Sequence, residues 1–188
     1  MRMHVRSKLL GLIVLLAMLV SACGYRLTPV GGVVPEDSKT IAIPVFVNGT
    51  NEPNVDISLT QAVVNEFLTD GRLKIASVDD ADLILRCKVV KFEVIATAYT
   101  PTTYIQQYNI NISVDARLTE TKSNKVLWQV KGLGSVFVSS YPVTLGDITT
   151  TKIAKQTAIT SASQDIASTI RARVLEGFLS ARLQIRRI

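Results

Sequence analysis

The stretch Tyr108-Asn-Ile-Asn-Ile-Ser-Val-Asp-Ala-Arg-Leu-Thr-Glu120 decides the fold of this chain. Apolar side chains occupy every second position from Ile110 to Leu118, and polar side chains occupy the positions between them. Strict alternation of this kind is typical of a β-strand that buries one face. Antiparallel sheets commonly have one packed face and one polar face, so we expect an antiparallel sheet here that is covered on one side.

The polar face of this predicted strand has an unusual composition, because it holds no Lys and no Glu before the strand ends. Its members are Asn109, Asn111, Ser113, Asp115, Arg117 and Thr119. Such a face fits a polar cavity or a hydrated interface with a partner. An ordinary exposed sheet face fits the same pattern, and the sequence leaves both interpretations open.

Two neighbouring segments have the pattern of strands that pair with this one. Residues 82–98 alternate between apolar and polar side chains, and the alternation slips by one residue at Val89-Val90, which predicts a β-bulge. A loop over residues 99–107 leads from this segment into the strand 108–120. Residues 122–125 are then predicted to form a hairpin turn. Residues 126–139 are then expected to pair back as another strand, with Trp128 facing inward.

The remaining predicted elements are two strands and two helices. Residues 40–47 are rich in β-branched side chains, but Pro44 has no N–H group, so the strand should lie at an edge or break there. Residues 72–78 predict a short strand, and the apolar spacing in 56–69 and 148–178 predicts two helices. The order indicates an α+β fold: a two-layer sandwich in which two helices pack on one face of a mixed, mostly antiparallel sheet.

The N-terminal segment has the pattern of a secretory signal peptide. Three cations and no acid precede an apolar run from Leu9 to Val20, which is too short to span a bilayer as a helix. The following Val20-Ser21-Ala22-Cys23 resembles a bacterial lipobox. That resemblance implies cleavage before Cys23 and acylation of Cys23, and Gly24 after it implies delivery to the outer membrane. Several acyl chains would give a stable anchor.

These patterns predict four parts in the chain. Residues 1–22 are expected to be the lipoprotein signal peptide, and residues 23–38 a lipid-anchored tether interrupted by Pro and Gly. Residues 39–179 are expected to form a single α+β domain, and residues 180–188 a basic C-terminal tail.

Composition removes several classes of function. The chain has 188 residues, and its single His lies in the predicted signal peptide, so the mature chain offers no His for a catalytic triad or a metal site. The two cysteines are the anchor and Cys87, which we expect to be a buried thiol. Asp79, Asp80 and Asp82 lack the spacing of a calcium loop and predict a solvated turn. We therefore expect no catalytic residues, no metal, no cofactor and no nucleic-acid partner.

The segments from the lipobox onward resemble the LptE family of lipopolysaccharide-assembly lipoproteins, over residues 23–175. The residues that carry the resemblance are Cys23-Gly-Tyr-Arg-Leu27, Ile41-Ala-Ile-Pro-Val-Phe46, Asn48, Thr50, Glu52, Pro53, Leu59-Thr-Gln-Ala62, Phe67, Ala81-Asp-Leu-Ile-Leu85, Tyr108 and Val126-Leu-Trp128. Each of these motifs is weak evidence alone, and the order and spacing of all of them together make the resemblance specific.

The resemblance implies a function that the residue pattern does not supply. Proteins of this family partner an outer-membrane β-barrel that assembles lipopolysaccharide, plug that barrel, and are not enzymes. The resemblance thus implies a lipid-anchored protein on the periplasmic side of the outer membrane, held by Cys23. Because lipopolysaccharide carries phosphates, the candidate contacts chosen from charge alone are four lysines: Lys122, Lys125, Lys152 and Lys155.

Two other functions remain as alternatives. The first is a structural or pilot lipoprotein of another envelope or secretion complex, which would have the same anchor and a different partner. The second is a hydrolase that uses carboxylates alone, which would need two acids in one cleft.

Overall fold

Two long antiparallel strands form the centre of the sheet. The computed structural model describes residues 34, 35, 37–101, 104–134 and 139–175. Strand β4, Leu83–Tyr99, pairs with strand β5, Ile105–Glu120, from Leu83 opposite Glu120 to Tyr99 opposite Ile105. The register shifts between Val89 and Lys91, so the bulge predicted from the sequence is confirmed.

Seven strands and two helices make up the described fold. The other strands are β1 Thr40–Ala42, β2 Val47–Asn48, β3 Lys74–Ile75, β6 Val126–Gly134 and β7 Ser139–Pro142, and the helices are α1 Val55–Asp70 and α2 Ile148–Leu175. The sheet order is β3-β1-β4-β5-β6, with β2 also paired to β4 and β7 also paired to β5. Strands β1, β2 and β3 form parallel pairs, and the other pairs are antiparallel, so the predicted mixed, mostly antiparallel sheet is confirmed.

The break expected at Pro44 is confirmed, because the predicted strand 40–47 is divided into β1 and β2. The backbone N–H of Phe46 donates to Thr60 Oγ1 of α1 at 3.0 Å instead of to a neighbouring strand. The predicted strand 72–78 is only two residues long in the structure. The described parts of the predicted strand 126–139 lie in β6 and β7, which pair with successive parts of the same edge of β5, and residues 135–138 lie outside the described residues.

Both helices pack on one face of the sheet and enclose the core between the layers. The largest fully buried side chains come from both layers: Leu59, Val63 and Phe67 of α1, Ile166 and Ile170 of α2, and Leu83, Leu85, Ile112 and Leu118 of the sheet. Helix α1 ends where Gly71 adopts a left-handed conformation (φ 73°) and donates its N–H to the carbonyl of Phe67. The two-layer α+β sandwich is therefore confirmed.

Cys87 lies on the core side of β4 and is 6 % exposed. Burial raises the pKa of its thiol well above the ordinary value, because the thiolate would lose its hydration. The expectation of a buried thiol is confirmed. Cys23, the predicted signal peptide and the predicted C-terminal tail lie outside the described residues.

An ion-pair network joins the two helices at one end of the layer. Arg171 of α2 contacts Glu66 (Nε to Oε2, 3.0 Å) and Asp70 (Nη1 to Oδ2, 3.2 Å) of α1. Arg72 donates to both carboxylate oxygens of Asp70, at 2.6 and 2.8 Å. The Arg72 guanidinium is the main cause that lowers the pKa of Asp70 from 3.8 to about 2.

We expect this network to make the stability depend on acid pH through Asp70. The pKa of Asp70 is lower in the folded chain, so its stabilising effect is present above about pH 4 and is lost as the pH falls to about 2. Asp70→Asn should lower the free energy of unfolding at pH 7 by about 1 kcal/mol. Urea unfolding at several pH values, followed through the single buried Trp128, measures this.

Asp79→Asn is the matched control, since Asp79 is an exposed turn residue whose carboxylate lies outside the network. The control should unfold like the wild type at every pH. A difference between Asp70→Asn and the wild type that persists unchanged at pH 2 would contradict the role given to Asp70.

Candidate functional site

The face of the sheet opposite the helices carries the polar side chains of the central strands. No described helix covers this face, and Arg86, Asn111 and Arg117 on it are exposed. We call it the helix-free face. The polar face predicted on β5 is therefore open to solvent or to a partner.

Strand register gathers four cations on the helix-free face. Arg86 of β4 lies directly opposite Arg117 of β5, and Lys88 lies opposite Asp115. Directly opposed residues have Cα atoms about 4.5–5.5 Å apart. Lys131 of β6 lines the same shallow groove, whose volume is about 410 Å³. We call Arg86, Lys88, Arg117 and Lys131 the cationic cluster.

A β-bulge in β6 brings Lys131 to this groove. Between Val130 and Leu133 the register of β6 shifts, so two residues of β6 lie opposite Asp115 of β5. Gly132 takes a left-handed conformation there (φ 64°) and donates its N–H to Asp115 Oδ1 at 2.8 Å. The only carboxylate in the groove thus accepts a backbone hydrogen bond in addition to facing Lys88.

The cationic cluster has an excess of unpaired positive charge. Among the described residues, no carboxylate lies within 4.0 Å of the charged nitrogens of these four side chains. Like charges placed directly opposite on an antiparallel pair are destabilising, so the Arg86–Arg117 pair costs stability in the free protein. A bound anion would offset that cost, and the planar guanidinium groups favour a phosphate because they can bind two of its oxygens at once.

The structure does not bring together the four lysines chosen from the sequence. Lys122 and Lys125 lie in and beside the turn between β5 and β6, and Lys122 is 4.0 Å from Asp82. Lys152 is exposed on α2, in the other layer. That these lysines contact lipopolysaccharide stays a prediction.

Lys155 of α2 already has partners within the fold. Its Nζ atom is 2.8 Å from a carboxylate oxygen of Glu52 and 5.4 Å from the centre of the Phe92 ring. The ion pair and the cation–π contact tie the helix layer to the loop before α1 and to β4. Lys155 therefore has a structural role that an added ligand would have to displace.

The sequence analysis did not predict the cationic cluster, although the alternation pattern indicates part of it. Arg86 and Arg117 each stand on the polar side of an alternating strand, so the alternation already places them on one face. Only the register puts them side by side, and the bulge that adds Lys131 depends on pairing that no local pattern reports.

The aspartates of the 79–82 cluster take part in local hydrogen bonds of the fold. Asp82 accepts hydrogen bonds from the backbone N–H of Lys39 and from the Thr40 hydroxyl, which hold the pKa of its carboxyl below the ordinary value. Asp80 accepts a hydrogen bond from Ser77 within the turn. Across the described ranges, no group of three or more His, Cys, Asp or Glu could hold a metal ion. No helix within those ranges is long and apolar enough to cross a membrane.

A family model described as LptE, lipopolysaccharide-assembly, matches residues 38–174. No curated protein matches the chain significantly. Among solved structures, a putative lipoprotein from Caulobacter crescentus matches with a TM-score of 0.51 and 15 % identity, covering 74 % of this chain and 91 % of that one. A minor lipoprotein from Acinetobacter baumannii matches with a TM-score of 0.50 and 14 % identity, covering 74 % and 92 %.

The rare lipoprotein B of Shewanella oneidensis is a weaker match, with a TM-score of 0.46 and 11 % identity over 78 % of this chain and 98 % of that one. At such identities, the two likenesses with TM-scores of 0.51 and 0.50 show a shared fold and nothing of what the chain binds.

Proposed function

Because the chain belongs to the LptE family of lipopolysaccharide-assembly proteins, we propose that it is an outer-membrane lipoprotein that plugs a β-barrel translocon and helps to assemble lipopolysaccharide. In this proposal the acylated Cys23 holds the protein on the periplasmic side of the membrane. The family is one of assembly lipoproteins, which supports a binding function for this chain and not a catalytic one. The folded part binds both the barrel and the phosphorylated part of the lipid.

One observation carries the lipid-binding part of the proposal: Arg86 and Arg117 lie side by side, and neither forms an ion pair with a described carboxylate. Two arginines placed side by side on an open sheet face, with Lys88 and Lys131 next to them, form a receptor for a phosphate group. The phosphates of lipopolysaccharide supply such a group in the compartment where we place this protein.

The polarity of the other surfaces supports a partner with a polar interior. The groove between the outer sides of α1 and α2 has a volume of about 450 Å³, and Glu66 is the only charged residue in its lining. The other residues that line it are Ser58, Gln61, Ala62, Asn65, Thr69, Gln156, Thr160 and Gln164. The interior of an outer-membrane barrel is polar, so such a surface suits a plug inside it.

The experiment that tests the function is a mild-detergent purification of the tagged protein from its own envelopes, with mass spectrometry of the proteins that accompany it. We expect a large outer-membrane β-barrel in a near-equal amount, together with bound lipopolysaccharide. A different envelope machine without lipopolysaccharide would contradict the proposal and favour a structural or pilot lipoprotein.

Cys23→Ala should release most of the protein from the outer membrane. The acyl chains attached to Cys23 would supply the membrane affinity, and without them binding depends on the partner barrel alone. Fractionation of envelopes from cells that express the variant, followed by immunoblotting, measures the retained fraction.

Cys87→Ala is the matched control, because it removes the other cysteine, which lies in the core and not at the anchor. This variant should remain in the outer membrane if it folds. Wild-type retention of Cys23→Ala would show that contacts with the partner suffice without acylation.

A further inference from the structure

Beyond the cationic cluster, the part of β5 on the helix-free face carries no charged side chain. Four residues at alternate positions of β5 form this part: Gln107, Asn109, Asn111 and Ser113. We call them the amide ladder. No charged residue occurs anywhere from position 94 to position 114. The ladder side chains are exposed or half-buried. Within the described residues, the only hydrogen bond that these side chains form is the one that Thr97 Oγ1 donates to Asn109 Oδ1, at 3.3 Å.

The described residues beside the amide ladder are small on one flank. Gly134 of β6 lies opposite Ser113, and Ser140 and Pro142 of β7 lie opposite Asn109 and Gln107, so no large side chain stands at these three described positions. On the other flank, β4 presents an ion pair between Lys91 and Glu93 (2.9 Å), opposite Ser113 and Asn111, and then Ile95. Ile95 lies directly opposite Asn109 and is 48 % exposed.

This combination of groups matches the chemistry of a sugar. A carboxamide has both donors and acceptors, and a hydroxyl has the same dual character, so a row of amides can bind a row of sugar hydroxyls without any charge. A pyranose ring also has an apolar C–H surface, which suits contact with the exposed Ile95. A sheet face that only contacts water would be expected to carry Lys, Glu and Arg instead of uncharged amides.

The position of the amide ladder next to the cationic cluster indicates which sugar it serves. From Arg117 to Asn109 the strand advances by eight residues, or about 27 Å, which is long enough for several linked pyranose rings. The two surfaces are continuous on one face. A ligand that carries phosphate at one end and neutral saccharide at the other would contact both at once.

We propose that the amide ladder is a carbohydrate-binding track, in which Asn109 and Asn111 hydrogen-bond hydroxyls of the saccharide whose phosphate is held by the cationic cluster. This inference rests on the proposed function, because it takes the phosphorylated glycolipid as the ligand. It adds that the face recognises the glycan as well as the phosphate.

The test uses the full mature lipoprotein in detergent and three probes: deacylated, phosphorylated core oligosaccharide, the same oligosaccharide after dephosphorylation, and inorganic phosphate. Calorimetric titration compares the wild type with Asn109→Ala/Asn111→Ala. We expect the variant to bind the phosphorylated oligosaccharide about tenfold more weakly, because it has lost hydrogen bonds to two residues. Competition by inorganic phosphate should be unchanged, and residual binding of the dephosphorylated probe should disappear.

The control is Asn51→Ala, which removes an exposed amide from the loop before α1 and should bind every probe like the wild type. The single variant Asn111→Val guards against a folding defect, since a β-branched residue favours the strand, and it should weaken binding about threefold. Fluorescence of Trp128 during thermal unfolding verifies that each variant is folded.

Wild-type affinity for the phosphorylated oligosaccharide in both ladder variants would overturn the carbohydrate track and leave the proposed function standing. Loss of the co-purifying barrel with unchanged oligosaccharide affinity would also overturn it, and would assign the ladder to a protein contact. If the cationic-cluster variant described below keeps its affinity for the intact glycolipid, the proposed site of lipid binding fails instead.

Discussion

Replacing both Arg86 and Arg117 by glutamine should weaken binding of lipopolysaccharide about a hundredfold, since each arginine contributes charge-assisted hydrogen bonds to a phosphate. The two side chains lie directly opposite each other on neighbouring strands and are the centre of the cationic cluster. Glutamine is shorter than arginine, but it keeps a polar group at the end of the side chain and removes the charge. Titration of the purified lipoprotein with lipopolysaccharide at fixed ionic strength measures the change.

The same double variant should be as stable as the wild type or slightly more stable. Two like charges opposite each other on an antiparallel pair cost a few tenths of a kcal/mol, and Arg86→Gln/Arg117→Gln removes this repulsion. Binding and stability should therefore change independently, which separates loss of a site from loss of the fold. Urea unfolding followed through Trp128 gives the stability of each variant.

Lys122→Gln/Lys125→Gln is the matched control for charge, because it also removes two cations but from the turn between β5 and β6. A general electrostatic attraction would respond to both variants equally. We expect the lysine variant to lose less than threefold in affinity. A larger loss in the lysine variant than in the arginine variant would move the lipid site to the turn, where the sequence alone had suggested it.

Phe67→Ala should lower the free energy of unfolding by about 4 kcal/mol, which is the usual range for removing a buried aromatic side chain. Phe67 is fully buried on α1 and is the largest side chain with no exposed surface in the described core. Its removal leaves a cavity between the helix layer and the sheet that the surrounding residues can fill only partly. A loss of this size is a large fraction of the stability of an ordinary domain.

Leu68→Ala is the control, since Leu68 is the next residue of the same helix but is 59 % exposed. This variant should change the free energy of unfolding by less than about 0.5 kcal/mol. Comparable losses in the two variants would mean that helix propensity, and not core packing, determines the effect. Equilibrium unfolding in urea, with an unchanged slope, is the measurement.

Most elements of the fold follow from patterns that are local in the chain. The alternation in 108–120 fixed which side of β5 is buried, and the slip at Val89-Val90 located the bulge in β4. The helix predicted at 56–69 spans Val55–Asp70, so both of its ends were predicted to within one residue. The helix predicted at 148–178 begins at Ile148 as expected. These features could be read because helix and strand periodicity is imposed by neighbouring residues.

The strand boundary that differs depends on pairing between distant segments. The 72–78 segment has the composition of a strand, but only two of its residues find a partner, in β1. Strand composition predicts that a segment can pair, whereas the length of the pairing is set by its neighbour.

The sequence by itself determined the α+β class, the face that each strand buries, the lipobox-like motif at Cys23 and the family resemblance that the match over residues 38–174 confirms. Only the tertiary structure decided that Arg86 lies against Arg117, that a bulge adds Lys131 to them, and that Lys155 is engaged by Glu52. The physical reason is that alternation fixes the side of a strand but not its register. A shared site on a sheet face depends on register, which is set by long-range packing.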